Sequence, residues 1–210
     1  MNNLNEKSIS MKYRPNKLSE CVLPKRISKR LDKWKDKTSN HLIFYGSAGI
    51  GKTSTARALA NEISPDNNFY INASKFNDDN FINGYLSKLM SSISLYAQQK
   101  KIIILDESDR LTENAQTSLR VPLEEYSHLC SVIFTFNYND KIIAPIKSRC
   151  IEFNFDLDNK EINDVKNSFK KRLLKICKLE KKAVTNEDID EVVNTNFPDM
   201  RKCVSELEFY

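Results

Sequence analysis

Gly46-Ser47-Ala48-Gly49-Ile50-Gly51-Lys52-Thr53 fits the pattern G-x-x-x-x-G-K-[ST] of a phosphate-binding loop. The chain holds four glycines, and three of them sit in this octet, so nearly all of its glycine is spent on one turn. Before the octet runs Leu42-Ile43-Phe44-Tyr45, short, apolar and bounded like a buried parallel strand. After it, Ser54 to Ile63 is alanine-rich and favours helix. Strand, glycine loop and helix together turn successive backbone N–H groups toward a polyphosphate and set the positive end of a helix beneath it. In that arrangement Lys52 reaches the β- and γ-phosphates and the Thr53 hydroxyl can ligate Mg²⁺. Residues 46–54, ending at Ser54, are therefore the expected cradle for a nucleoside triphosphate, rather than a glycine turn ahead of an ordinary helix.

Working outward, the second informative stretch is Lys101-Ile102-Ile103-Ile104-Leu105-Asp106-Glu107. Four consecutive aliphatics predict a buried strand, with two carboxylates at its C-terminal end, where ligands sit in an open α/β sheet. One carboxylate can hold Mg²⁺ through water, while its neighbour points the other way and can polarise an attacking water. Further strands are expected at Phe69-Tyr70-Ile71, at Ser131 to Phe136 leading to Asn137, and at Ile151 to Phe155. Helices are expected at Lys25 to Lys35, at Phe81 to Gln99, where Gly84 weakens the first turn, and at Thr112 to Glu125, where Pro122 should kink or end the helix. The segment from Met11 to Pro24 reads as irregular. From Asp156 onward strands disappear, and basic or amphipathic helices follow at Lys160 to Leu179, Asn186 to Asn194 and from Phe197 to the end. The fold class is α/β: a P-loop domain with a parallel five-stranded sheet, residues 1–155, then a small all-helical domain, residues 156–210.

Composition sets the bounds. With 210 residues, 40% hydrophobic and 29% charged, the chain can bury a substantial core as a soluble globular protein. No apolar run approaches a membrane span and Met1 to Lys7 lacks a signal-peptide core, so a cytoplasmic location and no membrane partner are expected. The richness in Asn, Lys and Ile fits an AT-rich genome, such as that of a virus acting inside its host cell. Five scattered cysteines form no C-x-x-C pair and read as buried thiols. A net charge of +5 permits nucleic-acid contact without demonstrating it.

The P-loop, then Asp106-Glu107-Ser108-Asp109, Asn137 after a strand, Ser148-Arg149-Cys150 and Asp199-Met200-Arg201 follow one another in an order that resembles the AAA+ sliding-clamp loaders. The chain is most similar to the replication factor C small-subunit and T-even bacteriophage types. Met11-Lys12-Tyr13-Arg14-Pro15 resembles their N-terminal box, and Thr112, Ala115, Gln116, Leu119 and Arg120 match their central helix. The resemblance implies an ATPase with a helical lid and with ATP and Mg²⁺ as cofactors. Its partners would be other loader subunits, the sliding clamp and primer–template DNA. Asp106 would bind Mg²⁺ beside Thr53, Glu107 would activate the water, and Asn137 and Arg201 would sense the γ-phosphate. Arg149 would be the arginine finger acting on a neighbouring subunit's ATP, and Tyr13, Arg14, Pro15 and Val22 would border the adenine. DNA contacts would fall around Ser74, Lys75, Asn80 and Arg110.

The sequence also departs from that pattern. Val121-Pro122 stands where the family continues a helix, and the chain stops at Tyr210, where family members enter a helical collar domain that holds the pentamer together. An AAA+ helicase loader would share the P-loop and the acids but not the Ser-Arg-Cys triplet. A chain lacking the collar could instead bind ATP as a scaffold that modulates a clamp loader.

Overall fold

Alternation along three central strands decides the architecture. In the computed structural model, which describes residues 8–35, 40–75, 78, 80–93 and 100–210, β1 (His41–Tyr45) buries Ile43 on one face of the sheet and Leu42 and Phe44 on the other. The run Ile102 to Leu105 in β3 (Lys101–Asp106) divides the same way, as does Val132 to Phe136 in β4 (Cys130–Phe136). A strand apolar at every position has both faces covered, which is the condition for a parallel sheet. With β2 (Asn68–Asn72) and β5 (Cys150–Asn154) the sheet has five strands in the order β2-β3-β4-β1-β5, every neighbouring pair parallel.

Helices fill both faces. On one side lie α2 (Lys25–Lys35), which buries Ile27, Leu31 and Trp34, and α3 (Lys52–Ile63), which buries Ala56, Leu59 and Ala60. The other face is covered by a wide π-helical turn at Phe81–Leu86 running into α4 (Ser87–Ser91), then α5 (Glu113–Ser118), α6 (Arg120–Glu125) and α7 (Ala144–Lys147). Beyond the last strand, α8 (Ile162–Glu180), α9 (Asn186–Asn196) and α10 (Met200–Glu206) close a separate apolar core around Phe169, Leu173, Val193 and Cys203. None of the helices among the described residues is long and apolar enough to cross a membrane.

Several expectations need correcting. The segment from Met11 is not irregular throughout: a short helix, Ile9–Lys12, opens it, and Ile9 and Tyr13 pack on the lid core. The helix expected over Phe81 to Gln99 begins with the π turn that contains Gly84, and residues 94–99 lie outside the described part. The helix expected over Thr112 to Glu125 is interrupted, as Pro122 foretold, between Ser118 and Arg120, because Pro122 has no N–H to donate four residues back to Ser118 and its ring crowds that carbonyl. Of the cysteines, Cys130, Cys177 and Cys203 are buried, but Cys21 and Cys150 are only half-buried, at a turn end and at the start of edge strand β5.

Candidate active site at the strand ends

The P-loop leaves β1 and enters α3 with Gly46, Gly49 and Gly51 at positive φ. At Gly49, φ is +75° and a Cβ would lie 1.9 Å from Asp199 Oδ1, so only glycine fits there. The adjoining lid bond runs from the Met200 N–H to the Gly49 carbonyl at 3.1 Å. On the other side of the loop, Asp156 Oδ1 accepts from the Ser47 N–H at 2.8 Å and from the Ser47 hydroxyl at 2.7 Å. The loop is thus gripped from two segments that follow the sheet. Lys52 is buried, and its ammonium donates to the carbonyls of Gly46 (2.6 Å) and Ser47 (2.8 Å) and to Asn137 Oδ1 (3.1 Å). Burial pulls this ammonium down to about 8, against the attraction of Asp156, Asp109 and Asp106. A polyphosphate beside it would restore its ordinary basicity.

Asp106 ends β3 and accepts from three hydroxyls. Thr53 and Thr135 each donate to its Oδ1 at 2.6 Å, and Tyr70 donates to its Oδ2 at 2.6 Å. Thr135 also accepts the N–H of Glu107 at 3.0 Å, and Glu107 sits in the left-handed region at φ 56°, its side chain exposed. One threonine therefore fixes the spacing of both acidic residues. Thr53 and Asp106 present hard oxygens 2.6 Å apart, a donor pair that suits Mg²⁺, which takes one or two protein oxygens and completes its shell with phosphate and water. Asn137, at the end of β4, spans from Lys52 to Asp109, whose oxygens lie 3.4 Å from its Nδ2.

Lys52, Thr53, Tyr70, Asp106, Glu107, Thr135 and Asn137 line one cavity of about 690 Å³ between sheet and lid. Its lining also includes the apolar groups Tyr13, Pro15, Val22, Phe169, Met200 and Val204. Tyr13 is held by its hydroxyl bond to Glu180 and by Arg172, which donates to its carbonyl at 2.8 Å. Arg14 leaves this group and turns toward the acidic end, where its charged neighbours are Arg57, Arg201, Tyr70 and Asp106. Arg201 lines the same cavity from α10, and its charge is felt at Lys52. Ile50 points into the core beneath the loop.

Arg149 is not brought to this cavity. It pairs with Glu124 at 2.8 Å and donates to the Pro145 carbonyl at 3.0 Å. Ser74, Lys75, Asn80 and Arg110 are exposed. Ser74 and Lys75 follow β2 and Arg110 follows β3, where Asn72 pairs with Asp106, so the two segments leave the sheet side by side. Sequence reasoning missed Asp156, Tyr70, Thr135 and Arg57. Thr135 carried a usable signal: a polar residue inside an apolar strand, two positions before Asn137 and so on the same face.

Residues 42–157 match the family model described as "ATPase family associated with various cellular activities (AAA)". Residues 161–210 match that of the "Sliding-clamp-loader large subunit, AAA+ ATPase lid domain". The chain is 38% identical over 217 residues to the sliding-clamp-loader large subunit of Enterobacteria phage T4, covering 99% of this chain and 66% of that protein. It is 36% identical over 202 residues to the replication factor C small subunit of Archaeoglobus fulgidus, covering 94% of this chain and 61% of that protein. The chain therefore spans between three fifths and two thirds of the length of these relatives. The Thermotoga maritima RuvB Holliday junction branch migration motor superposes with a TM-score of 0.70 at 16% identity, over 93% of this chain and 64% of that one, a likeness of fold alone. Strand, P-loop, acidic pair and docked helical lid agree with these matches, and the chain belongs to the AAA family of ATPases, with a lid of the sliding-clamp-loader type.

Proposed function

We propose that this chain is an ATP-hydrolysing subunit of a sliding-clamp loader, coupling ATP binding and hydrolysis to the opening of a ring-shaped clamp and its placement on primer–template DNA. The observation that carries the reading is the split between two arginines. Arg201 shares the cavity of Lys52, whereas Arg149 is held away from it by Glu124. Charge spreading over the transferred phosphoryl group needs cations around it. In this reading one arginine is supplied by the chain's own lid and a second by a neighbouring subunit, so a site is complete only in an assembly.

Each residue then has a task. Lys52 and the loop N–H groups hold the β- and γ-phosphates. Thr53 and Asp106 would hold Mg²⁺, which would supply charge neutralisation for the phosphates. Glu107, fixed through its N–H by Thr135, polarises the attacking water, and Asn137 sets the distance between Lys52 and Asp109. Ser74, Lys75, Asn80 and Arg110 would track the DNA backbone, and such contacts would be insensitive to base sequence and weaken steeply with salt.

The deciding measurement is the steady-state ATPase rate of the chain with its loader partners, with and without clamp and primed DNA. Stimulation by the two together is expected. A rate that neither changes would leave an ATPase unconnected to clamp loading.

A further inference from the structure

A second, smaller cleft of about 230 Å³ adjoins the nucleotide cavity and shares Arg14, Pro15 and Tyr70 with it. Three elements build it. Arg57 and Asn61 lie four residues apart on one face of α3, and Asn68 and Tyr70 lie two apart on one face of edge strand β2. The N-terminal segment closes the third side through Asn16, whose Oδ1 accepts from Asn61 Nδ2 at 2.7 Å. Its walls are amide, phenol and guanidinium, with no carboxylate among the described residues that line it.

The two guanidiniums here, of Arg14 and Arg57, form no salt bridge among the described residues, although the charge of Asp106 is felt at Arg14. The Arg57 Cζ lies over the Tyr70 ring, 3.5 Å from its centroid, and its Nε is buried without a hydrogen-bond partner. Burial and the adjacent Arg57 charge push the Arg14 guanidinium below its ordinary range. Asp106, the nearby carboxylate, already accepts from Thr53, Thr135 and Tyr70. Like charges set together with no carboxylate bridging them, one with an unmet donor, favour an anion that joins them. The cleft has about one third of the nucleotide cavity's volume, room for a phosphate but not for a nucleotide.

We propose that this cleft is a phosphate-binding subsite, with Arg57 and Arg14 as its ligands, beside the P-loop and separate from it. Its occupant is a phosphate oxyanion, from inorganic phosphate or from the backbone of a polynucleotide lying along the β2 edge. Guanidinium forks suit phosphate bidentately, and the amide N–H groups of Asn16 and Asn61 outside their mutual bond can complete the shell, whereas Asn68 Nδ2 is given to the carbonyls of Ser64 and Pro65. The proposal does not depend on clamp loading.

The test loads the chain with a non-hydrolysable ATP analogue and Mg²⁺, so that the P-loop is filled through its γ-position, and titrates inorganic phosphate by calorimetry. One phosphate per chain is expected. Arg57→Gln should weaken it roughly ten- to a hundredfold, the worth of a hydrogen-bonded charge, and Arg57→Lys should recover part of the loss. Should Arg57→Gln fail to fold, Asn61→Asp serves instead, since it sets a carboxylate in the cleft wall and should abolish phosphate binding. A short oligothymidylate that competes with the phosphate identifies a polynucleotide backbone as the source, and one that does not identifies inorganic phosphate. No binding to the loaded chain, or binding that these substitutions leave unchanged, overturns the proposal.

Discussion

Lys52 and Glu107 meet the triphosphate at different moments, and substitutions should separate them. The lysine, already aimed along the loop carbonyls, contacts phosphate in the ground state. Glu107 acts on the attacking water. Lys52→Ala should therefore abolish nucleotide binding, whereas Glu107→Gln should bind ATP normally and lose turnover; equal losses of affinity in a filter-binding assay would reject the assignment. Thr135 offers a subtler case. Its hydroxyl donates to Asp106 and accepts from the Glu107 N–H, so Thr135→Val keeps the shape, removes one of the three hydroxyls on Asp106 and leaves the Glu107 N–H without its partner. The expected result is a ten- to hundredfold loss in Mg²⁺ affinity or turnover. A Mg²⁺ titration of ATP hydrolysis reads it, and an unchanged curve would make Thr135 a packing residue only.

Among the elements, β1 carries a second buried polar device. His41 Nε2 donates to the Leu123 carbonyl of α6 at 2.7 Å, while its Nδ1 accepts the Val132 N–H of β4 at 3.0 Å. Only the neutral ring can do both, and burial holds its pKa below the ordinary value. As pH falls through about 6.5 the unfolded chain takes up a proton that folded His41 refuses. Stability present above that pH should therefore be lost below it. Melting temperatures at pH 7.5 and 5.5 should diverge less in His41→Gln, whose amide can still donate and accept; parallel losses would point to other groups. Elements of this kind were unevenly legible. The span of α2 follows from Ile27, Leu31 and Trp34 at helical spacing, because its packing is decided locally. The break between α5 and α6 is foretold by Pro122, although it falls three residues before the proline, at Leu119. The π turn is not foretold: nothing in the periodicity of residues 81–86 distinguishes it from an α-helix. The P-loop could be read because its residues are contiguous. Its restraints could not, since Asp156 reaches Ser47 from 109 residues away.

At the scale of the whole molecule, the cavity receives Arg201 from its own lid but not Arg149. Should Arg149 serve a neighbour, an Arg149→Ala chain and a Lys52→Ala chain would each be nearly inactive, since a missing arginine finger lowers turnover about 10³- to 10⁵-fold. Mixed, they should recover activity, because the intact nucleotide site of the first can receive the intact arginine of the second. If the mixture stays silent under conditions where wild-type chains associate and hydrolyse ATP, Arg149 is an ion-pair residue of Glu124 and nothing more.

The bond from the Met200 N–H to the Gly49 carbonyl gives the lid and the phosphate loop a shared degree of freedom. Coupling through such a bond is reciprocal: a nucleotide that shifts the lid equilibrium by some factor must itself be bound more or less tightly by that same factor when the lid is held. A protein that touched only the outer faces of α9 and α10 would therefore act on ATP affinity if it bound one lid position more tightly than another, and a difference of about 1.4 kcal/mol between the two would change that affinity by up to tenfold.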